Sequence, residues 1–213
     1  MSNYSLEVNQ LTKYFGRRLI FSNLNFRFEN KGIYGISGPN GSGKSTLVKI
    51  LAGIIGANKG EVKHFLDGKE IVPEKIHNHI GFVSPYLVLY EEFSAEENLL
   101  MFAKIRGVEY DKKRVYYLFE KFLLLKRKDD LVKTYSSGMK QRLKFIFALM
   151  HSPQLIILDE PTSNLDDEGK NSVYEIIREE GKEKIVLVAS NEKNDLELCE
   201  KTIFLENYKQ LNA

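Results

Sequence analysis

The sequence predicts an α/β fold: a parallel sheet with flanking helices, an antiparallel β lobe, and a helical segment inserted partway along the chain. Three observations lead there. Short aliphatic runs recur at 32–37, 80–84, 155–158, 185–189 and 202–205, the pattern of strands buried on both faces. Helical spacing of apolar residues follows several of these runs, and the first thirty residues alternate like surface strands instead.

Taken in order, alternation at 5–8 and 24–28 gives two strands, and Gly16-Arg17-Arg18 between them reads as a hairpin turn. Residues 32–37 form a short buried strand. After 46, Leu47, Val48, Ile50, Leu51 and Ile54 recur at helical spacing. A further strand at 61–65 ends in the turn dipeptide Asp67-Gly68, which completes the β lobe. Residues 80–84 return to the core. From Ser94 the character changes: Ser94-Ala95-Glu96-Glu97 fits a capping box, followed by Leu99, Phe102, Ala103 and Ile105. Helix continues over 110–125, Lys126 to Asp130 makes a solvated turn, and 143–150 is a third apolar helix. The helical subdomain is therefore inserted over residues 88–145. Strands at 155–158, 185–189 and 202–205, with a helix at 167–179, finish the sheet. No repeat, low-complexity stretch or linker interrupts the chain, so 1–213 reads as one domain.

The chemistry concentrates at three stretches. Gly38-Pro39-Asn40-Gly41-Ser42-Gly43-Lys44-Ser45-Thr46 fits G-x-x-x-x-G-K-[ST] between a strand and a helix. Glycines let successive backbone N–H groups turn inward around phosphate oxygens, and the helix N-terminus adds its positive dipole end. Lys44 would reach the β- and γ-phosphates and the Ser45 hydroxyl would ligate Mg²⁺, so the chain is expected to bind a nucleoside triphosphate. In Leu155-Ile156-Ile157-Leu158-Asp159-Glu160, a buried strand delivers two carboxylates to its C-terminal edge, where α/β sheets place ligands. Asp159 would hold Mg²⁺ through water and Glu160 would polarise the attacking water. Tyr135-Ser136-Ser137-Gly138-Met139 offers a Ser/Gly anion nest opening a helix; a plain N-cap at Ser136 or Ser137 is the structural alternative.

Bulk properties bound the partners. With 43% hydrophobic and 28% charged residues, 213 residues can build a core beneath a soluble surface. The formal net charge of +2, with no basic stripe, gives no reason to expect nucleic acid. Cys199 alone can form no internal disulfide, which favours a reducing setting; it reads as a small buried hydrophobe. Residues 1–10 lack a signal-peptide pattern, and no apolar run approaches the ~20 residues that span a bilayer. His64, His77, His79 and His151 show no metal-ligand spacing and read as surface residues.

These motifs, in this order and at this spacing, resemble the nucleotide-binding subunit of an ATP-binding cassette (ABC) transporter over nearly the whole chain. The resemblance implies a P-loop NTPase fold with a RecA-like parallel core. Gly38 to Thr46 is similar to the Walker A motif, including Asn40, Gly41, Ser42, Gly43 and Thr46 as nucleotide contacts. Leu155 to Glu160 is similar to Walker B with its catalytic glutamate. Ser136 to Met139 resembles the signature motif and Ser163-Asn164-Leu165-Asp166 the D-loop. Leu11 to Gly16 resembles the segment carrying the aromatic that stacks on adenine; by register this is Phe15, with Tyr14 the alternative. The family's working unit is a head-to-tail dimer, homodimer or heterodimer, in which Ser136 and Gly138 would act in trans on ATP and Mg²⁺ held by the other subunit. The resemblance further implies a transmembrane transporter subunit as partner and a cytoplasmic position, peripheral on the inner face of the membrane.

Three motifs depart from the family pattern. Ser137 replaces a signature glycine and Met139 a glutamine, which weakens the trans contact if that glycine needs φ > 0. Pro85, followed by Tyr86, falls where the glutamine loop should supply a Mg²⁺ ligand. Asn191 stands where the family has a γ-phosphate-contacting histidine, and it cannot change protonation state near neutral pH. The reading is thus a transport ATPase with slow turnover. The alternative is a regulatory or non-transport clamp whose output is nucleotide-driven dimerisation.

Overall fold

In a computed structural model of the chain, residues 3–209 are described; residues 1–2 and 210–213, the extremes of the expected 1–213 unit, lie outside them. Strand β1 (Tyr4–Phe15) pairs antiparallel with β2 (Arg18–Phe28), setting Leu6 against Phe28 and Val8 against Phe26. Gly16, at φ 57°, and Arg17 make the turn between them. On its other edge β1 pairs with β4 (Lys59–Leu66), which runs through Asp67 and Gly68, both at positive φ as a tight two-residue hairpin requires, into β5 (Lys69–Glu70). The order of this sheet is β2-β1-β4-β5.

The second sheet is parallel: β3 (Gly32–Ser37), β6 (Ile80–Val83), β7 (Leu155–Asp159), β8 (Ile185–Ser190) and β9 (Lys201–Phe204), in the order β6-β7-β8-β3-β9. Every residue of β7 and β8 is buried, because helices and the β lobe cover both faces. Along β8 the side chains alternate as strand geometry demands. Ile185, Leu187 and Ala189 face a core shared with the β lobe (Leu6, Phe21, Leu24) and helix α1 (Lys44–Leu51). Val186 and Val188 face a second core with Ile156, Leu158 and the helices that follow. Those helices are α2 (Ala95–Arg106), α3 (Lys112–Lys121), α4 (Ser137–Leu149) and α5 (Asp167–Gly181); a short α6 (Lys193–Leu196) follows β8. The strand order sets the C-terminal ends of β7, β8 and β3 side by side, and that edge carries the site. Ser37 lies level with Ser190, and Asp159 with Ala189.

The capping box opens α2 as expected: Glu97 N–H donates to Ser94 Oγ at 3.2 Å and Ser94 N–H to Glu97 Oε2 at 2.7 Å. Five details differ from expectation. Helix over 110–125 shortens to α3, because Asp111 caps it by accepting from Lys113 and Arg114 N–H, and Leu123 takes φ 58° beyond its end. Helix α1 ends at Leu51, before Gly53 at φ 71°, so Ile54 is exposed rather than part of the apolar face. His64 is fully buried in the β lobe with Tyr4 Oη 2.6 Å from Nδ1, and burial pulls its pKa down to about 4. His151 and His79 are half-buried, which leaves His77 exposed as expected. Cys199 is half-buried, and the apolar surroundings push its thiol up to about 12. Among the described residues no helix is long and apolar enough to cross a membrane.

Candidate nucleotide site

The loop after β3 turns on glycine. Gly41 has φ 75° and Gly43 φ 109°, backbone conformations that L side chains rarely adopt. Space enforces the second: a Cβ on Gly43 would stand 2.4 Å from Ile20 Cγ2. Ser42 N–H donates to the Pro39 carbonyl at 3.0 Å, tightening the loop just before α1 begins. Lys44, 5% exposed, donates from Nζ to the Gly38 carbonyl at 2.7 Å and pairs with Glu160 Oε1 at 3.2 Å. A lysine this deep needs such partners, because an uncompensated buried charge is costly. The loop and the β7 edge are thus joined by one ammonium group.

A second link lies beside it. Ser45 Oγ donates to Asp159 Oδ1 at 3.0 Å. Asp159 is fully buried, its Oδ2 has no hydrogen-bond partner, and burial raises its pKa against the opposing Ser45 hydrogen bond. Ser42 Oγ is likewise buried and unpartnered. Buried polar atoms are nearly always satisfied, so two orphans around one loop mark a place built for a ligand.

Glu160 follows at φ 49°, an uncommon conformation for a residue with a Cβ, and its N–H donates to the Ala189 carbonyl at 2.8 Å. Strain of this kind persists where neighbours over-determine the backbone. The turn throws the Glu160 carboxylate forward to the phosphate loop while Asp159 stays below it. From the loop after β8, Asn191 Nδ2 donates to Asn40 Oδ1 at 3.3 Å. It does not cap α6: Glu192 holds the N-cap position, and its N–H donates to Ser190 Oγ at 3.0 Å.

These groups line a cleft of about 460 Å³ that includes residues 40–46, Glu160 and, at one side, Phe15. That volume lies within the range of small-molecule sites. Phe15 is half exposed, with Lys13 Nζ 5.0 Å from its ring centroid; Tyr14 does not line the cleft. Pro85 and Tyr86 do line it. The Pro85 carbonyl accepts from Lys144 Nζ at 2.7 Å, and Lys49 Nζ lies 4.6 Å from the Tyr86 ring centroid. Arg18 and Ile20 also line the cleft and were not singled out in the sequence. Their signal was weak: both follow Phe15 at odd spacing on one strand, which becomes informative only once β2 is known to pass over the loop. A smaller cavity of about 180 Å³, lined by Lys31, Gln154 and Lys184 among others, lies at the opposite, N-terminal edge of the parallel sheet.

Ser136 and Gly138 are not among the cleft residues. Ser136 is the N-cap of α4, accepting from Met139 N–H at 3.2 Å. Ser137 is the first residue of that helix and does not have positive φ, so the serine there carries no backbone strain. Gly138 sits against the D-loop stretch: a Cβ on it would be 3.2 Å from the Asn164 carbonyl oxygen.

The sequence pattern of the ABC transporter family matches residues 21–163. Among relatives, the linearmycin resistance ATP-binding protein LnrL of Bacillus subtilis is 33% identical over 178 residues, 82% of this chain and 57% of that protein. The uncharacterized ABC transporter ATP-binding protein YhcH of the same organism is 34% identical over 213 residues, 97% of this chain and 68% of that protein. The lantibiotic transport ATP-binding protein SrtF of Streptococcus pyogenes is 34% identical over 186 residues, 87% and 79%. The chain thus spans little more than half the length of LnrL and a larger share of the other two. Among solved structures, an ATP-binding subunit of an ABC transporter superposes with a TM-score of 0.82 at 25% identity, covering 93% of this chain and 85% of that one. An ABC ATP-binding protein of Pyrococcus furiosus shares the fold with the same TM-score at 24% identity, covering 97% and 100%. With the phosphate loop, the paired carboxylates and these matches in agreement, the chain belongs to the ABC transporter family, whose ATP-binding subunits are ATPases coupled to transport.

Proposed function

We propose that this chain binds and hydrolyses MgATP and energises a membrane transporter through nucleotide-driven pairing of two such subunits. One observation carries the reading: Lys44, Ser45 and Glu160 line a single cleft, Asp159 is bound to Ser45 directly beneath it, and a flat aromatic surface, Phe15, stands at its side. Gly38, Asn40, Gly41, Ser42, Gly43 and Thr46 offer backbone N–H groups to the phosphates, and Lys44 exchanges its present partners for β- and γ-phosphate oxygens. Phe15 stacks on adenine.

Ser45 and Asp159 fit a divalent cation. The unpartnered Asp159 Oδ2 and the adjacent Ser45 hydroxyl are hard oxygen ligands, and Mg²⁺ characteristically uses one or two protein oxygens together with phosphate and water. When bound, the cation neutralises charge on the phosphate oxygens. Glu160 then acts as the base that polarises water, and Asn191, already hydrogen-bonded to the loop through Asn40, donates to the γ-phosphate. An amide makes a neutral hydrogen bond there, and Pro85 provides no side-chain ligand, so turnover is slow.

Ser136 and Gly138 lie outside the cleft, which supports a role in trans on the nucleotide of a second subunit, identical or not. LnrL is named for linearmycin resistance and SrtF for lantibiotic transport; by that likeness the cargo is an antimicrobial compound, handled by a transmembrane subunit with this chain on the cytoplasmic face. Co-purification from detergent-solubilised membranes tests the assignment. Recovery of an integral membrane protein together with MgATP hydrolysis is expected, and hydrolysis with only soluble partners would favour the non-transport clamp.

A further inference from the structure

Behind the cleft lies a buried carboxylate that the phosphate chemistry does not use. Asp195, on α6, is 1% exposed, and among the described residues no lysine, arginine or histidine forms an ion pair with it. Three hydroxyls from three different elements converge on it. Thr162 Oγ1 lies 2.9 Å from Oδ1 and 3.1 Å from Oδ2, Tyr174 Oη donates to Oδ1 at 2.9 Å, and Ser190 Oγ donates to Oδ2 at 2.7 Å. Thr162 is two residues after Glu160, on the turn that leaves β7. Ser190 ends β8 and immediately precedes Asn191. Tyr174 stands on α5 and ties both to the helix behind the sheet.

The geometry points to Asp195 as a positioning residue for hydrolysis: it locks the turn bearing Glu160 to the turn bearing Asn191, so that base and γ-phosphate contact keep one spacing. This rests on the reading of Glu160 and Asn191 given above. Two neighbouring contacts fit the role. Ser190 Oγ also lies 3.4 Å from Glu160 Oε2, so the hydroxyl that Asp195 orients is within reach of the base itself. That same oxygen accepts from Glu192 N–H, fixing the far end of the Asn191 turn. A carboxylate accepts all three hydroxyl protons at once, which is why an acid rather than an amide suits this position: an asparagine brings two donors of its own and forces at least one hydroxyl to turn away. Hydrogen bonds to a charged acceptor are the stronger kind, and the buried setting holds them rigid. None of the three hydroxyls on Asp195 comes from the phosphate loop, so binding and turnover should separate.

The test is Asp195→Asn in the full chain, measured for ATP affinity, initial hydrolysis rate and melting temperature, and repeated in a Glu160→Gln background. We expect kcat to fall about tenfold or more, as displacement of a catalytic group by a fraction of an ångström does, with ATP affinity within about twofold of the parent. In the Glu160→Gln background the substitution should remove no further activity, while its effect on melting temperature stays the same. Should Asp195→Asn fail to fold, Thr162→Val, which removes a single hydroxyl at constant shape, carries the test with a smaller fall in kcat of about threefold and unchanged ATP affinity. A folded variant with parental kcat, or with kcat and affinity falling in step with stability, overturns the proposal. If Glu160→Gln alone leaves hydrolysis intact, the reading of the base fails instead, and the two failures are told apart by that one measurement.

Discussion

The phosphate loop and the signature stretch are both short Ser/Gly segments that open a helix, yet they end in opposite electrostatic states. Around the loop, Ser42 Oγ and Asp159 Oδ2 are buried without hydrogen-bond partners, and Lys44 leans on a backbone carbonyl and on Glu160. At the signature stretch, Ser136 already accepts from Met139 N–H, and the residue is exposed. One segment leaves buried oxygens without hydrogen-bond partners; the other has closed its own helix end. The cost of an unsatisfied buried group, about 1–3 kcal/mol, is regained when the ligand arrives, so the loop holds binding energy that the signature stretch does not. The difference teaches that two similar Ser/Gly segments are told apart by whether their polar groups are satisfied within the chain, as at Ser136, or left without partners, as at Ser42.

Glu160→Gln sharpens the comparison most. It keeps shape at the loop side but removes the base, so hydrolysis should fall by about 10²–10⁴-fold while ATP binding persists and a nucleotide-bound dimer accumulates. Initial rates and sizing with and without MgATP read this. A variant that remained monomeric at high protein concentration would say that the signature stretch meets no second copy of this chain. Lys44→Ala comes next. It removes charge-assisted contacts of about 1.5–3 kcal/mol, so titration with a fluorescent ATP analogue should show affinity weakened by one to two orders of magnitude. Unchanged affinity would break the comparison at its stronger end.

Ser136→Ala probes the other half. Loss of the N-cap should cost about 1 kcal/mol of stability. In the Glu160→Gln background it should also weaken the nucleotide-bound dimer while leaving the affinity of the monomer for ATP as it was. A variant that lost stability alone would reduce Ser136 to a cap. The smallest expected effect is at Asn191. Asn191→His replaces a neutral hydrogen bond by one that can carry charge, a gain of about 1 kcal/mol or roughly fivefold in rate, with little change in ATP affinity. Since Glu192 and not Asn191 caps α6, melting temperature should hold steady. A slower histidine variant would remove Asn191 from the γ-phosphate.

Much of this site was legible because its signals are local. The loop from Gly38 to Thr46 is nine consecutive residues whose glycines are demanded by positive φ at Gly41 and Gly43, and Asp159 and Glu160 simply end an aliphatic strand. The capping box at Ser94 is equally local and formed as read. Structure departs from the local sequence pattern where a neighbour in space decides the outcome. His64 looked like a surface residue because nothing beside it in sequence announces that β4 buries it against Tyr4. Ile54 fitted a helical period that the chain left at Leu51. Arg18 and Ile20 became cleft residues only through the passage of β2 over the loop. Ser137 stands where the family has a glycine, and the helix it opens gives it an ordinary conformation.

What the sequence determined by itself is the set of parts: strand and helix periods, the glycines of the loop, the lysine, the two acids, and the order that marks the family. Each follows from covalent neighbours, since backbone propensity and side-chain spacing act over a few residues. Only the tertiary structure decided which parts meet. Lys44 finds Glu160, and Ser45 finds Asp159 across 114 residues of sequence, because the order β7-β8-β3 sets those strand ends side by side. The same placement gathers Thr162, Tyr174 and Ser190 on Asp195. Long-range pairing of this kind depends on burying both faces of the parallel sheet, a condition met by the whole chain at once and by no segment alone.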